Sequence, residues 1–212
     1  MNKDNFINSW LRKKNILEQN YIYKESDEHS SCGVGLIASL DGNSNRKVVE
    51  MGVQALKVLY HRGAVDADGK TGDGAGIQLS IPKDFFIDKI KRSGQKPNNF
   101  PFAIGMIFLP RSDFSAQEKS RNIVESEIIK GGYKIYGWRN VPINSEIIGD
   151  KAKSTRPEIE QILIRNEKHE NELLFENDLY IIRKKIEKEI RNQNISNFYI
   201  CSLSCQSIVY KG

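Results

Sequence analysis

A chain of 212 residues, 39% hydrophobic and 28% charged, holds enough apolar material for one sizeable core and too little for two comfortable domains. The net charge of +5 raises the question of a nucleic-acid partner, but the basic residues are interleaved with acids, as in Arg183-Lys184-Lys185-Ile186-Glu187-Lys188-Glu189, which is the pattern of a solvated helix face. No run approaches the roughly 18 apolar residues that span a bilayer, and residues 1–20 lack the hydrophobic block of a secretion signal, so the cytoplasm is the expected location.

Residues 6–19 place Phe6, Trp10, Leu11 and Leu17 at helical spacing and predict a short amphipathic helix in a leader. The apolar run 32–40 predicts a buried strand, Asp41-Gly42-Asn43 a turn, and 46–59 a helix with Val49, Val53, Leu56 and Leu59 on one face. Residues 60–72 read as loop and 75–81 as a strand, after which Pro82 opens a helix through Phe85, Phe86 and Ile90 that stops near Gly94. A third strand is predicted over 102–109. Ser115 with Glu118 three residues on has the form of a capping box, and Gly131-Gly132 ends the helix it starts. Further strands are predicted over 133–141 and 157–165. A long charged helix follows over 172–191, with Leu173, Leu179, Ile182, Ile186 and Ile190 available for packing. Residues 198–203 and 207–210 close the chain as a predicted hairpin. This alternation lacks the glycine signature of a nucleotide-binding crossover and implies a layered sheet with helices outside.

Three cysteines, an odd number, argue against a disulfide framework. Cys201 and Cys205 are four apart in a strand-like stretch, about 13 Å from one another if the strand is straight. They have no second cysteine pair or nearby histidine to complete a metal site, and read as small buried hydrophobes.

The third cysteine is different. Cys32 lies in Ser30-Ser31-Cys32-Gly33-Val34-Gly35, where flanking glycines leave a thiol unhindered and backbone N–H groups open to a substrate. Downstream come His61-Arg62-Gly63 and then Thr71-Gly72-Asp73-Gly74-Ala75-Gly76. Two other readings of this loop fail on its own residues. Gly69-Lys70-Thr71 lacks the upstream glycine of a phosphate loop, since Ala64 stands there, and Asp66 and Asp68 would repel phosphate. A calcium loop starting at Asp66 would have Lys70 in place of an oxygen ligand and Thr71 in place of the turn glycine.

In these motifs the chain resembles the class II glutamine amidotransferases, and within them the glutaminase domain of the glutamate synthases, over residues 30–212. The resemblance implies an α+β fold, the four-layer αββα sandwich of the N-terminal nucleophile hydrolases, incomplete at the C-terminus. It implies a leader over 1–31 and the N-terminal part of the glutaminase domain over 32–212. Removal of the leader would make Cys32 the first residue. A free thiol with pKa about 8.5 is only a few per cent thiolate at neutral pH, and its own freed α-amine, pKa about 8, would serve as the base.

The family's chemistry would then be thiolate attack on the glutamine side-chain amide, release of ammonia and hydrolysis of the glutamyl thioester. By the same resemblance Arg62 orients the thiolate, the alternative being a salt bridge to Asp66 or Asp73. His61 is expected to pack or hydrogen-bond rather than act as base, and Asp73 to be a structural partner of Arg62. Gly33, Gly63, Gly72, Gly74 and Gly76 shape the pocket backbone.

Ammonia would pass to a synthase domain of the same full-length chain that converts 2-oxoglutarate to glutamate. That domain would carry FMN and an iron–sulfur cluster, with FAD and NADPH on a possible small reductase subunit; no cofactor, metal, membrane or nucleic acid is expected for the 212 residues themselves. The family residues for the substrate carboxylate, the oxyanion hole and the substrate amine fall beyond Gly212, so these residues alone are expected to have little glutaminase activity. Three other functions are compatible with the residues: an amidotransferase feeding a different acceptor, a non-catalytic basic binding module, and a Cys-His hydrolase using His61.

Overall fold

The computed structural model describes residues 3–20, 33–59, 63–72 and 74–211, which divide into two units, Met1–Leu36 and Ile37–Gly212. In the first unit the helix predicted over 6–19 forms as α1 (Lys3–Asn20), with Trp10 and Leu11 half exposed and Lys14 over the Trp10 ring.

The core of the second unit is built on β2 (Ala103–Leu109), nearly every residue of which is buried. Its side chains alternate with the period of two that a strand imposes. Ala103, Ile107 and Leu109 pack into one apolar cluster, Ile104, Met106 and Phe108 into the other. Such a strand needs partners on both edges, and β4 (Glu158–Arg165) and β5 (Tyr199–Ser204) supply them, with β3 (Lys134–Asn140) beyond β4. The order is β3-β4-β2-β5, antiparallel throughout. Gly105, in the middle of β2, leaves the room that Ile162 and Leu203 fill from the strands on either side.

One face of this sheet is covered by α4 (Phe114–Lys130) and α6 (Glu172–Asn192). The helix α6 buries Phe175, Leu179, Ile182, Ile186 and Ile190, spaced three and four apart as a single helical stripe. Leu173, predicted for packing, is instead exposed, and Phe175 lies under the Tyr133 ring at 5.0 Å. The helix α4 ends as expected at Gly131-Gly132, where Gly132 has φ +86 and Gly131 sits against Ile182. Its start differs from the predicted capping box. The N-cap is Asp113, whose carboxylate accepts from the Ala116 N–H at 2.9 Å, because the chain turns into the helix two residues before Ser115.

The other face of the sheet packs on α3 (Lys83–Arg92), through Phe86 and Ile90, and on a two-stranded antiparallel sheet of β1 (Gly76–Ser80) and β6 (Ser207–Lys211). β5 and β6 therefore do not form the predicted hairpin. Two strands separated by two residues pair only if the turn keeps them in one plane. Here the Glu176 carboxylate, from α6, accepts from the Ser204 hydroxyl at 2.5 Å and the Cys205 N–H at 2.6 Å, and the chain leaves one sheet for the other.

The helix α2 (Arg46–Val58) forms as predicted, capped by Asn45, but fully buries none of its residues and meets β1 through Gly52, beside Ile77. The short helix α5 (Asp150–Thr155) has no counterpart among the predicted elements. The strand expected over 32–40 is also absent. Residues 33–39 take no regular structure, and Val34, Leu36 and Leu40 are almost wholly exposed. An apolar run becomes a strand only where a sheet edge accepts its N–H and C=O groups, and residues 33–39 pair with none of the described strands. No described helix is long and apolar enough to cross a membrane.

Candidate functional site

Four of the residues singled out by sequence, Cys32, His61, Arg62 and Asp73, lie outside the described residues. What the structure does describe is the backbone between them. Gly33 is exposed in the irregular stretch after the cysteine, and Gly63, Gly72 and Gly74 are exposed in the loop that leads into β1.

That loop is closed on itself. Val65 and Gly72 form an isolated antiparallel bridge, the Asp66 N–H donates to the Thr71 carbonyl at 2.7 Å, and the Gly69 N–H to the Asp66 carbonyl at 2.9 Å. Gly69 turns the chain at φ +67, a conformation that costs glycine nothing. Inside the turn the Asp68 carboxylate accepts from the Lys70 N–H at 2.9 Å, the Thr71 N–H at 2.6 Å and the Thr71 hydroxyl at 2.5 Å. Donation by the Thr71 hydroxyl first, then by these amides, holds the Asp68 carboxyl down to about 2. Both rejected readings of this loop now have a physical answer. The amides that would cradle a phosphate are filled by the loop's own carboxylate, and the oxygens that would face a calcium ion are turned onto the backbone.

The loop is gripped from outside by residues the sequence reading passed over. The Lys151 ammonium stands 2.5 Å from Asp66 Oδ2, and its hydrogen bond and charge lower the Asp66 carboxyl below the usual range. Gly149, buried, abuts Asp68 and Thr71 so closely that a Cβ there would overlap them. Asp66 was one of the two partners weighed for Arg62, and among the described residues it engages Lys151. Gly76 is a glycine for the same reason of approach, since a Cβ there would lie 3.0 Å from the Tyr210 carbonyl and closer still to Lys211, whereas one at Gly72 would lie 3.3 Å from the Ala64 carbonyl, a tight contact that a small shift relieves.

The remaining cysteines are part of the core. Cys201 and Cys205 are free and buried, and burial pushes their thiols up to about 11 and about 12, with Glu176 adding to the rise at Cys205. Among the described residues no group of three or more histidine, cysteine or carboxylate side chains could hold a metal ion. A depression of about 570 Å³ opens at the C-terminal end of β1, where Lys83 pairs with Glu172 at 2.9 Å beside Cys205 and Gln206. The glycine loop enters β1 at the opposite end, so the five-residue strand separates it from this depression.

Comparison with known proteins bears on the same residues. The family model described as class-II glutamine amidotransferases matches residues 32–212. The chain is 57% identical over 190 residues to the large chain of glutamate synthase [NADPH] from Azospirillum brasilense, covering 90% of this chain and 12% of that protein. It is 40% identical over 187 residues to ferredoxin-dependent glutamate synthase 1, chloroplastic/mitochondrial, from Arabidopsis thaliana, covering 87% and 12%. A ferredoxin-dependent glutamate synthase 2 from Synechocystis is 38% identical over 187 residues, covering 88% and 12%. The chain thus spans about an eighth of the length of these relatives. With a family match that begins at Cys32 and runs through the glycine loop to the last strand, the chain belongs to the class-II glutamine amidotransferases.

Proposed function

We propose that this chain is the glutaminase portion of a glutamate synthase and that Cys32, made N-terminal by removal of residues 1–31, is its nucleophile. The observation that carries the reading is the start of the family match at residue 32, the cysteine itself, with 57% identity to a glutamate synthase over nearly the whole chain. The freed α-amine, with a reference pKa of about 8, is appreciably unprotonated near pH 7.5 and takes the thiol proton. The thiolate attacks the glutamine side-chain carbonyl carbon. The resulting ammonium returns its proton to the departing nitrogen, ammonia leaves, and a glutamyl thioester remains. Water, deprotonated by the same amine, cleaves the thioester to glutamate and restores the thiol. Arg62 orients the thiolate through its fixed guanidinium. His61 packs or hydrogen-bonds, Asp73 partners Arg62, and the glycines at 33, 63, 72 and 74 let the backbone approach the substrate.

On this reading the fold is an αββα sandwich. Support comes from α4 and α6 backing one face of the four-stranded sheet while β1 and β6 pack on the other. Ammonia goes to a synthase portion of the full-length chain, which converts 2-oxoglutarate to glutamate and would hold the FMN and iron–sulfur cluster that supply reducing power there. The higher identity to the relative named for NADPH than to those named for ferredoxin favours a reductase subunit carrying FAD and NADPH as the electron source.

The test is made on the full-length enzyme. Intact-mass analysis is expected to show a chain starting at Cys32, and Cys32→Ala to abolish glutamine hydrolysis. An active enzyme that retains residues 1–31, or normal hydrolysis by Cys32→Ala, would overturn the proposal.

A further inference from the structure

We infer that Gly149, with Lys151, holds the loop between Arg62 and Gly76 in position through Asp68 and Asp66, and that these are positioning residues for glutamine hydrolysis. The inference rests on the reading that this loop borders the glutaminase site, and it adds to that site residues some 80 positions away in sequence.

The case begins with why residue 149 is glycine. Its φ of −69 and ψ of 163 are extended backbone that any residue adopts, so conformation does not require glycine there. Space does. A Cβ on residue 149 would fall onto the Asp68 carboxylate and the Thr71 hydroxyl, and within 2.7 Å of the Thr71 amide nitrogen. Thr71 is at the end of the closed turn, one residue before Gly72 and two before Asp73. The backbone of 149 is therefore the surface against which the turn rests. Next to it, the Lys151 side chain reaches Asp66 at 2.5 Å. The loop is thus held at a carboxylate on each side of Ala67, and it is short. The bridge between Val65 and Gly72 ties its two ends together, so a displacement at Asp68 is passed to both of them, and Gly72 is the residue before Asp73 in the sequence.

The two contacts differ in weight. The Lys151–Asp66 pair is exposed, with side chains 70% and 37% accessible, and an ion pair of that kind contributes little by itself. The steric seat at Gly149 does not depend on screening and sets the loop's height. A misplacement of about 1 Å in a reacting constellation costs up to about 100-fold in rate.

The experiment uses the full-length enzyme and compares Gly149→Ala, Lys151→Met, the charge exchange Asp66→Lys with Lys151→Asp, and Cys32→Ala. Gly149→Ala is expected to lower kcat/KM for glutamine hydrolysis about tenfold or more. Its melting temperature should stay near that of the parent, and hydrogen exchange should quicken at the amides of Lys70 and Thr71. Lys151→Met is expected to lower kcat/KM about twofold to threefold, with the charge exchange restoring part of the loss. Parental kinetics for Gly149→Ala beside an inactive Cys32→Ala would overturn the clamp alone, whereas an active Cys32→Ala would overturn the glutaminase reading beneath it. Should Gly149→Ala not fold, failure of the charge exchange to recover anything lost in Lys151→Met overturns the inference, and recovery upholds it.

Discussion

Asp178 accepts hydrogen bonds from the Lys168 ammonium at 2.6 Å and the Tyr133 hydroxyl at 2.7 Å, and lies 3.1 Å from His169 Nε2. These donors, Lys168 first and Tyr133 next, hold its carboxyl down to about 2 against an ordinary 3.8. A folded-state value below the unfolded one means that the stability it adds is present above about pH 4 and is lost as pH falls toward 2. Asp178→Asn is therefore expected to lower stability at pH 7 by about 1 kcal/mol and to flatten the decline between pH 4 and 2, read by thermal unfolding across that range. Cys201 and Cys205, neutral at physiological pH, are expected to resist alkylation in the native protein and to react only on unfolding, checked by mass mapping after brief treatment. The burial of those two thiols was legible from their strand-like, apolar neighbours. The Asp178 cluster was not, because it joins α6 to Tyr133 just before β3 and to Lys168 and His169 just after β4, segments that only the tertiary fold brings together. Cys32 and Arg62 stood out by residue type and spacing. Gly149 and Lys151 did not, since nothing local distinguishes a glycine required by a distant loop from one that merely starts a helix.

Among the elements, helices and strands with strong periodicity were readable, and the departures have physical causes. Competition for the first turn of α4 is one: Ser115-x-x-Glu118 has the pattern of a capping box, yet Asp113 takes the capping position because its carboxylate reaches the Ala116 N–H. Asp113→Ala is expected to cost about 1 kcal/mol and Ser115→Ala only a few tenths, compared by denaturant unfolding. The β5–β6 connection is another. Both strands were legible, but their separation into different sheets depends on Glu176 from α6, a contact between residues 29 apart at Cys205. The run at 33–39 has no pairing edge among the described residues, a property no period of two encodes.

At the scale of the molecule, stability comes from one antiparallel sheet buried on both faces, which is why β2 reads as a continuous apolar run. Sheet order was not legible, because antiparallel neighbours far apart in sequence leave no local mark. Phe175 is fully buried and stacks against Tyr133, so Phe175→Ala is expected to cost about 3–5 kcal/mol, measured as lost hydrogen-exchange protection along β2. The pairing of β1 with β6 has a consequence for synthesis. Gln78 and Ser207, hydrogen-bonded between these strands, are 129 residues apart. A nascent chain leaving the ribosome therefore holds β1 unpaired until Lys211 has emerged, whereas the glycine loop at its entrance closes through Val65 and Gly72 and waits only for Gly149 and Lys151.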